Sequence, residues 1–110
     1  MIPEVEPLEA MNRIDAGAFL LDVREADEWE MGHAPEAVWI PLGELANRVS
    51  EIPADSEILV ICRSGGRSAT AAEALIGSGL NAINCQGGMQ AWAQADLPVI
   101  TADGSAGQVA

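Results

Sequence analysis

The residue pattern predicts an α/β fold around a parallel sheet, on three observations. Short apolar runs alternate with segments of helical spacing along the chain, as βαβ units require. One run, Glu57–Cys62 (EILVIC), places four consecutive apolar residues before its cysteine, which suits a central strand buried on both faces. Length and composition agree: 110 residues, 49% hydrophobic and 20% charged, can build one core without metal or disulfide staples. Residues 1–100 are therefore expected to form one domain. Residues 101–110 (TADGSAGQVA), small and polar, are expected to form a flexible tail.

Taken in order, residues 4–6 read as a short edge strand. Pro7 suits the first turn of a helix running to Asp15, with Gly17 past its end. Phe19–Val23 (FLLDV) is a buried strand. Glu25–Met31 is a short helix whose first-turn acids favour the dipole, broken by Gly32 and Pro35. Ala37–Ile40 is a strand ending at Pro41. Residues 42–52 form a helix with Leu42, Leu45 and Val49 on one stripe. After the Glu57–Cys62 strand comes an Ala-rich helix from Ser68 to Ser78, stopped by Gly79. Asn81–Cys85 is the last strand, and Gly87 and Gly88 turn the chain into a final helix through Ala95.

Charge excludes several function classes. The formal net charge is -12, with five arginines and no lysine, so no basic face exists for nucleic acid or for an anionic membrane. No apolar run approaches the ~18 residues of a membrane span. The first ten residues carry three glutamates and no positive n-region, which does not fit a secretory signal. Two cysteines in a chain that builds its own core suggest reduced thiols in the cytoplasm.

An acidic molecule repels small anions at long range, so an anion site here must act locally. Two of the five arginines, Arg63 and Arg67, fall within one short segment, Cys62-Arg63-Ser64-Gly65-Gly66-Arg67-Ser68. This segment joins the strongest strand to the strongest helix, and ligands of open α/β sheets bind beyond the carboxyl ends of strands. Adjacent Gly65 and Gly66 permit positive φ, so successive N–H groups can converge on one concavity. The helix N-terminus adds unpaired N–H groups, with Ser68 as its N-cap candidate. A thiol in such a cup has its anion stabilised and its pKa lowered. Cys62 is thus the candidate nucleophile, Arg67 the group that neutralises a bound anion, Arg63 a guide at the mouth, and residues 64–68 the backbone cradle. The plain alternative is a strand-to-helix turn whose cysteine only fills space.

At these residues the chain resembles the rhodanese-like domain family. LDVREADEWEMGHAPEAVWIPL (Leu21–Leu42) is similar to its first signature, ICRSGGRSATAA (Ile61–Ala72) to its active-site loop and following helix, and INCQGGMQAW (Ile83–Trp92) to its closing Gly-Gly-x-x-x-Trp element. The resemblance implies a parallel sheet of about five strands with helices on both faces. It also implies sulfur transfer through a persulfide on Cys62, cradled by the N–H groups of Arg63 to Ser68, with no metal and no organic cofactor. The Cys62 thiolate attacks a small anionic donor such as thiosulfate, a polysulfide or a persulfide, and a thiophilic acceptor then removes the sulfur. Four residues separate Cys62 from Arg67. Cysteine phosphatases and related arsenate reductases usually place five before their Arg, and the shorter loop suits one sulfur atom better than a tetrahedral oxyanion. A phosphatase or arsenate reductase, and a non-catalytic module that senses persulfide or binds a protein, are the alternatives. The chain departs from the family at Ala34, Glu36 and Trp39, where Ile, Gly and Asn are common.

The remaining polar residues read more plainly. Asp22 and Arg24 suit a loop-bracing salt bridge; a catalytic base at Asp22 is the sharper alternative. His33 suits a turn-bracing hydrogen bond, and without a second His a zinc site does not follow. Cys85 suits a core-filling thiol, with a resolving thiol that attacks a Cys62 persulfide as the alternative. Trp29, Trp39 and Trp92 are expected in the core or at its rim, with Trp92 under the loop. Gly88 and Met89 are expected at the pocket mouth. Glu25, Asp27, Glu28 and Glu30 are expected to form a solvated face.

Overall fold

Ile58, Leu59, Val60 and Ile61 are all fully buried, as an apolar run at the centre of a parallel sheet must be. A computed structural model describes residues 2–110. Five strands form one sheet: β1 (Glu4–Val5), β2 (Phe19–Asp22), β3 (Val38–Trp39), β4 (Glu57–Ile61) and β5 (Asn81–Cys85). Their spatial order is β1-β5-β4-β2-β3, and every pairing is parallel.

Helices cover both faces. Alternation along β4 sends Ile58 and Val60 one way and Leu59 and Ile61 the other. The first pair packs with Leu45 of α3 (Leu45–Arg48) and with Ala71, Ala72 and Leu75 of α4 (Gly66–Gly77). The second packs with Ala10 of α1 (Pro7–Asp15) and with Met89 and Trp92 of α5 (Gly88–Gln94). The short α2 (Ala26–Met31) lies between β2 and β3. Among the described residues, no helix is long and apolar enough to cross a membrane.

Three expectations change. Residues 42–52 are not one helix: 3-10 turns at Leu42–Glu44 and Val49–Glu51 flank the single α-helical turn of α3. The stripe still faces the core, Leu45 buried and Leu42 and Val49 partly so. The Ala-rich helix starts at Gly66 rather than Ser68, because the Gly65 carbonyl already accepts the Ala69 N–H at 3.1 Å. Its N-cap is Gly65, at φ +106°, and not Ser68. Finally, residues 101–110 are folded back rather than frayed. Ile100 bridges His33 and Ala106, the Gly107 N–H donates to Val99 O at 2.8 Å, and the Gln108 N–H donates to Met31 O at 2.9 Å. Val109 packs against the Leu59 face of the core. Gly32 admits this return, since a Cβ there would sit 2.7 Å from the backbone of Gln108.

Candidate active site

Cys62 follows the last residue of β4 and is 1% exposed, at the floor of the loop that leads into α4. The Gly65 N–H donates to its Sγ at 3.1 Å and the Ser68 hydroxyl approaches it at 3.3 Å. Positive φ at Gly65 aims that N–H back at the sulfur. Gly66 has ordinary helical φ and is simply the first residue of α4, so only one of the paired glycines uses its conformational freedom. Burial alone would push the Cys62 thiol up. The Ser68 hydroxyl and the N–H groups of Ser68, Gly65 and Ser64 outweigh burial and hold it below its ordinary value.

Ser68, three residues into α4, aims its hydroxyl inward instead of capping. The hydroxyl lies between Cys62 Sγ and Asn84 Oδ1. Asn84 in turn donates Nδ2 to the Gly65 carbonyl at 3.2 Å and to Glu4 at 2.8 Å. The register pairs Val60 with Asn84, which places this amide on the same sheet face as Cys62. It therefore orients both groups that face the sulfur. Sequence reasoning missed Asn84; the available signal was a polar residue among the apolar Ala82, Ile83 and Cys85, on the same face as Ala82.

Arg67 is placed beside the cup but is already engaged. Its two terminal nitrogens each donate to Glu28 of α2 at 2.7 Å. The Glu28 side chain is only 14% exposed. Glu28 is held down to about 2, chiefly by Arg67 and secondarily by the Glu25 N–H, against a burial that pushes it up. The bridge thus contributes its stabilisation in full above the ordinary carboxylate range, and loses it as pH falls toward 2. Glu28 also closes a capping box with Glu25 at the start of α2. The expected solvated acidic face is corrected here: Glu28 is a partner of the loop. Arg63 is exposed and makes no ion pair among the described residues.

Asp22 and Arg24 are both fully buried, and Arg24 grips the carboxylate with Nε at 3.0 Å and Nη2 at 2.8 Å. Arg24 also donates to the carbonyls of Gly32 at 2.8 Å and Glu28 at 3.3 Å, tying down α2. This is the bracing reading, and it leaves Asp22 committed to Arg24. His33 braces the turn through Trp29 O at 3.1 Å, and its ring stacks on Trp29, which stacks on Trp39. Trp92 is fully buried and donates to Pro98 O at 2.8 Å.

Met89 does not line the mouth; it is fully buried in the core. The α5 N-terminus instead holds the loop from below: Met89 N–H donates to Cys62 O at 2.7 Å and Gln90 N–H to Arg63 O at 3.0 Å. Cys85 is 3% exposed, opposite Ile61 by continuation of the β4–β5 register, and its side chain joins the Leu59–Ile61 face of the core. Cys62 joins the opposite face. Burial first, then the nearby Cys62 and Asp22 charges, push the Cys85 thiol up to about 12. The two cysteines therefore differ sharply in thiolate character. A small alkylating reagent at pH 7–8 is expected to add once to the native protein, at Cys62, with a rate midpoint below that of an ordinary thiol. Peptide mapping checks this; a native adduct on Cys85 would refute the assignment.

An α/β fold with a cysteine at the end of its central strand, its sulfur met by a loop N–H and its thiol held below the ordinary value, has the form of a cysteine-dependent group-transfer scaffold. The rhodanese-like domain model matches residues 6–95, and the chain belongs to that family. The chain is 33% identical over 107 residues to a sulfurtransferase of Allochromatium vinosum, covering 94% of this chain and 100% of that protein. It is 40% identical over 94 residues to the putative sulfur carrier protein YrkF of Bacillus subtilis. That match covers 83% of this chain but only 51% of the relative, about half its length. Among solved structures, a rhodanese-related protein of Thermoplasma volcanium superposes with a TM-score of 0.84 at 34% identity, covering 89% of this chain and 97% of that one. Family and fold together carry the general class of chemistry, sulfur transfer through a cysteine persulfide.

Proposed function

We propose that Cys62 is the nucleophile and persulfide carrier of this chain, loaded by a small anionic donor such as thiosulfate, a polysulfide or a persulfide. The observation that carries the reading is the Gly65 N–H donated to Sγ at a sulfur the core otherwise covers, with the Ser68 hydroxyl, whose single proton can go to Sγ or to Asn84 Oδ1, held 3.3 Å away. A buried thiol would be inert as a neutral group; these donors favour its anion. The thiolate attacks the outer sulfur of thiosulfate, a sulfur–sulfur bond forms at Cys62, the bond to the sulfonate sulfur breaks, and sulfite leaves with the electron pair. The same donors then face the persulfide, and a thiophilic acceptor takes its terminal sulfur. Arg63, Ser64, Gly65, Gly66, Arg67 and Ser68 form the binding loop in this reading. A phosphatase reading is less well supported: a free arginine for a phosphate ester is wanted, and Arg67 is held by Glu28.

The test is intact mass after incubating reduced protein with thiosulfate, or with a persulfide. Wild type is expected to gain one sulfur atom, and Cys62→Ser none. The gain is expected to disappear on adding a thiol acceptor. Equal gain in Cys62→Ser would move the chemistry elsewhere, and no gain with any donor would return the cup to phosphate esters, arsenate or protein partners.

A further inference from the structure

We propose that Glu28 is a specificity-determining residue that biases the cup toward monoanionic sulfur donors, persulfides borne by a thiol (R–S–S⁻), over the thiosulfate dianion. This rests on the sulfur-transfer reading and names its substrate class. The argument is one of local charge. The loop carries two arginines, yet Glu28 occupies both terminal nitrogens of Arg67 at 2.7 Å. A bidentate pair of this kind leaves the guanidinium little to offer a further anion. Only Arg63 is left as an unpaired cation of the loop, and it is exposed and screened. The rest of the chain adds to a net charge of -12.

Thiosulfate therefore brings two charges to a thiolate that is backed by one exposed cation. A thiol-borne persulfide brings one. In the loading step the Cys62 thiolate attacks the outer sulfur of R–S–S⁻. The new sulfur–sulfur bond leaves that sulfur on Cys62 as its persulfide anion, and R–S⁻ departs with the electron pair of the broken bond. No oxidant or reductant is needed, since sulfane sulfur is only moved.

Glu28 is not loosely placed, so its effect is structural and permanent. Its Oε1 also accepts the Glu25 N–H at 3.0 Å, and the α2 helix that carries it is pinned by Arg24 at the Glu28 and Gly32 carbonyls. It stays ionised throughout the working pH range.

Glu28→Gln tests this, because Gln keeps the reach to the Glu25 N–H while removing the charge. The readout is kcat/KM for Cys62 loading with thiosulfate and with cysteine persulfide, at fixed ionic strength, with folding checked by thermal melt. Releasing the Arg67 charge is expected to raise the thiosulfate value about tenfold and the cysteine persulfide value about threefold, since Coulomb energy is proportional to ligand charge. The preference for persulfide thus falls about threefold. Glu30→Gln, on the exposed side of the same helix, makes the same change in net charge and is expected to leave both values as they are. The proposal is overturned if Glu28→Gln leaves the ratio of the two donors unchanged, or if Glu30→Gln shifts it equally. Should Glu28→Gln fold poorly, Glu28→Ala removes the same charge and is expected to lower the preference for persulfide in the same direction; an unchanged donor ratio in that variant also overturns the proposal. Failure of wild type to load with either donor would instead remove the sulfur-transfer reading itself.

Discussion

Arg24→Met is expected to destabilise the protein by about 3–5 kcal/mol, a large part of the roughly 5–15 kcal/mol that holds a domain of this size together. The Asp22 carboxylate and the guanidinium are each fully buried, and the arginine satisfies both carboxylate oxygens. Removing it strands a carboxylate in the core and frees the carbonyls of Gly32 and Glu28, which close and anchor α2. Urea unfolding measures the loss, and the melting temperature should fall by on the order of 20 °C. The companion Asp22→Leu/Arg24→Met should recover much of it, because no charge is then left buried. A single variant as stable as wild type would mean that water reaches Asp22. Since α2 carries Glu28, the surviving folded fraction of Arg24→Met should also show a weakened hold on Arg67.

The second large effect is expected at Gly88. Its φ is +58°, and a Cβ built there would overlap Cys62 O and lie 2.6 Å from the Arg63 carbonyl atoms, all of them backbone. Gly88→Ala combines a left-handed alanine with a backbone clash, each costing about 1–3 kcal/mol. The clash falls where the Met89 and Gln90 N–H groups grip the first two carbonyls of the loop. Relief requires α5 and the loop to separate, so the loop should lose register with Cys62 Sγ. A stability loss of about 2–6 kcal/mol is expected, together with at least a tenfold slower sulfur loading. Gly66→Ala is the contrast: a Cβ there meets nothing within 4 Å and φ is helical, so stability should hold or rise by up to about 1 kcal/mol. If Gly88→Ala loads sulfur at the wild-type rate, the support from α5 is dispensable.

Much of the fold was legible because it depends on local pattern. The β4 run, the Pro7 start of α1 and the Asn81–Cys85 strand were all found within a residue or so at each end, since burial on both faces and helix punctuation write themselves into neighbouring residues. The places that failed are those where a distant segment decides. Residues 42–52 carry one good apolar stripe but no side-chain cap, and they divide into a 3-10 turn, one α-helical turn and a second 3-10 turn. The tail offered little to bury by itself; it is ordered by backbone partners at Met31, Val99 and Ile100, which no composition argument reveals. Ser68 looked like a helix cap because its type suits one, but a glycine three residues earlier can adopt the left-handed conformation and start the helix first.

The sequence by itself determined the sheet, the loop after its central strand, and the candidacy of Cys62, because a strand end, a glycine turn and two arginines within six residues are a local fact. Only the tertiary structure decided what surrounds that sulfur. Asn84 reaches Ser68 and Gly65 across the β4–β5 register, Glu28 closes on Arg67 from a helix 39 residues earlier, and Cys85 is turned to the other side of the sheet. Each of these acts over a few ångströms between residues far apart in the chain. Hydrogen bonds and ion pairs depend on distance in space, and a sequence records distance only along the backbone.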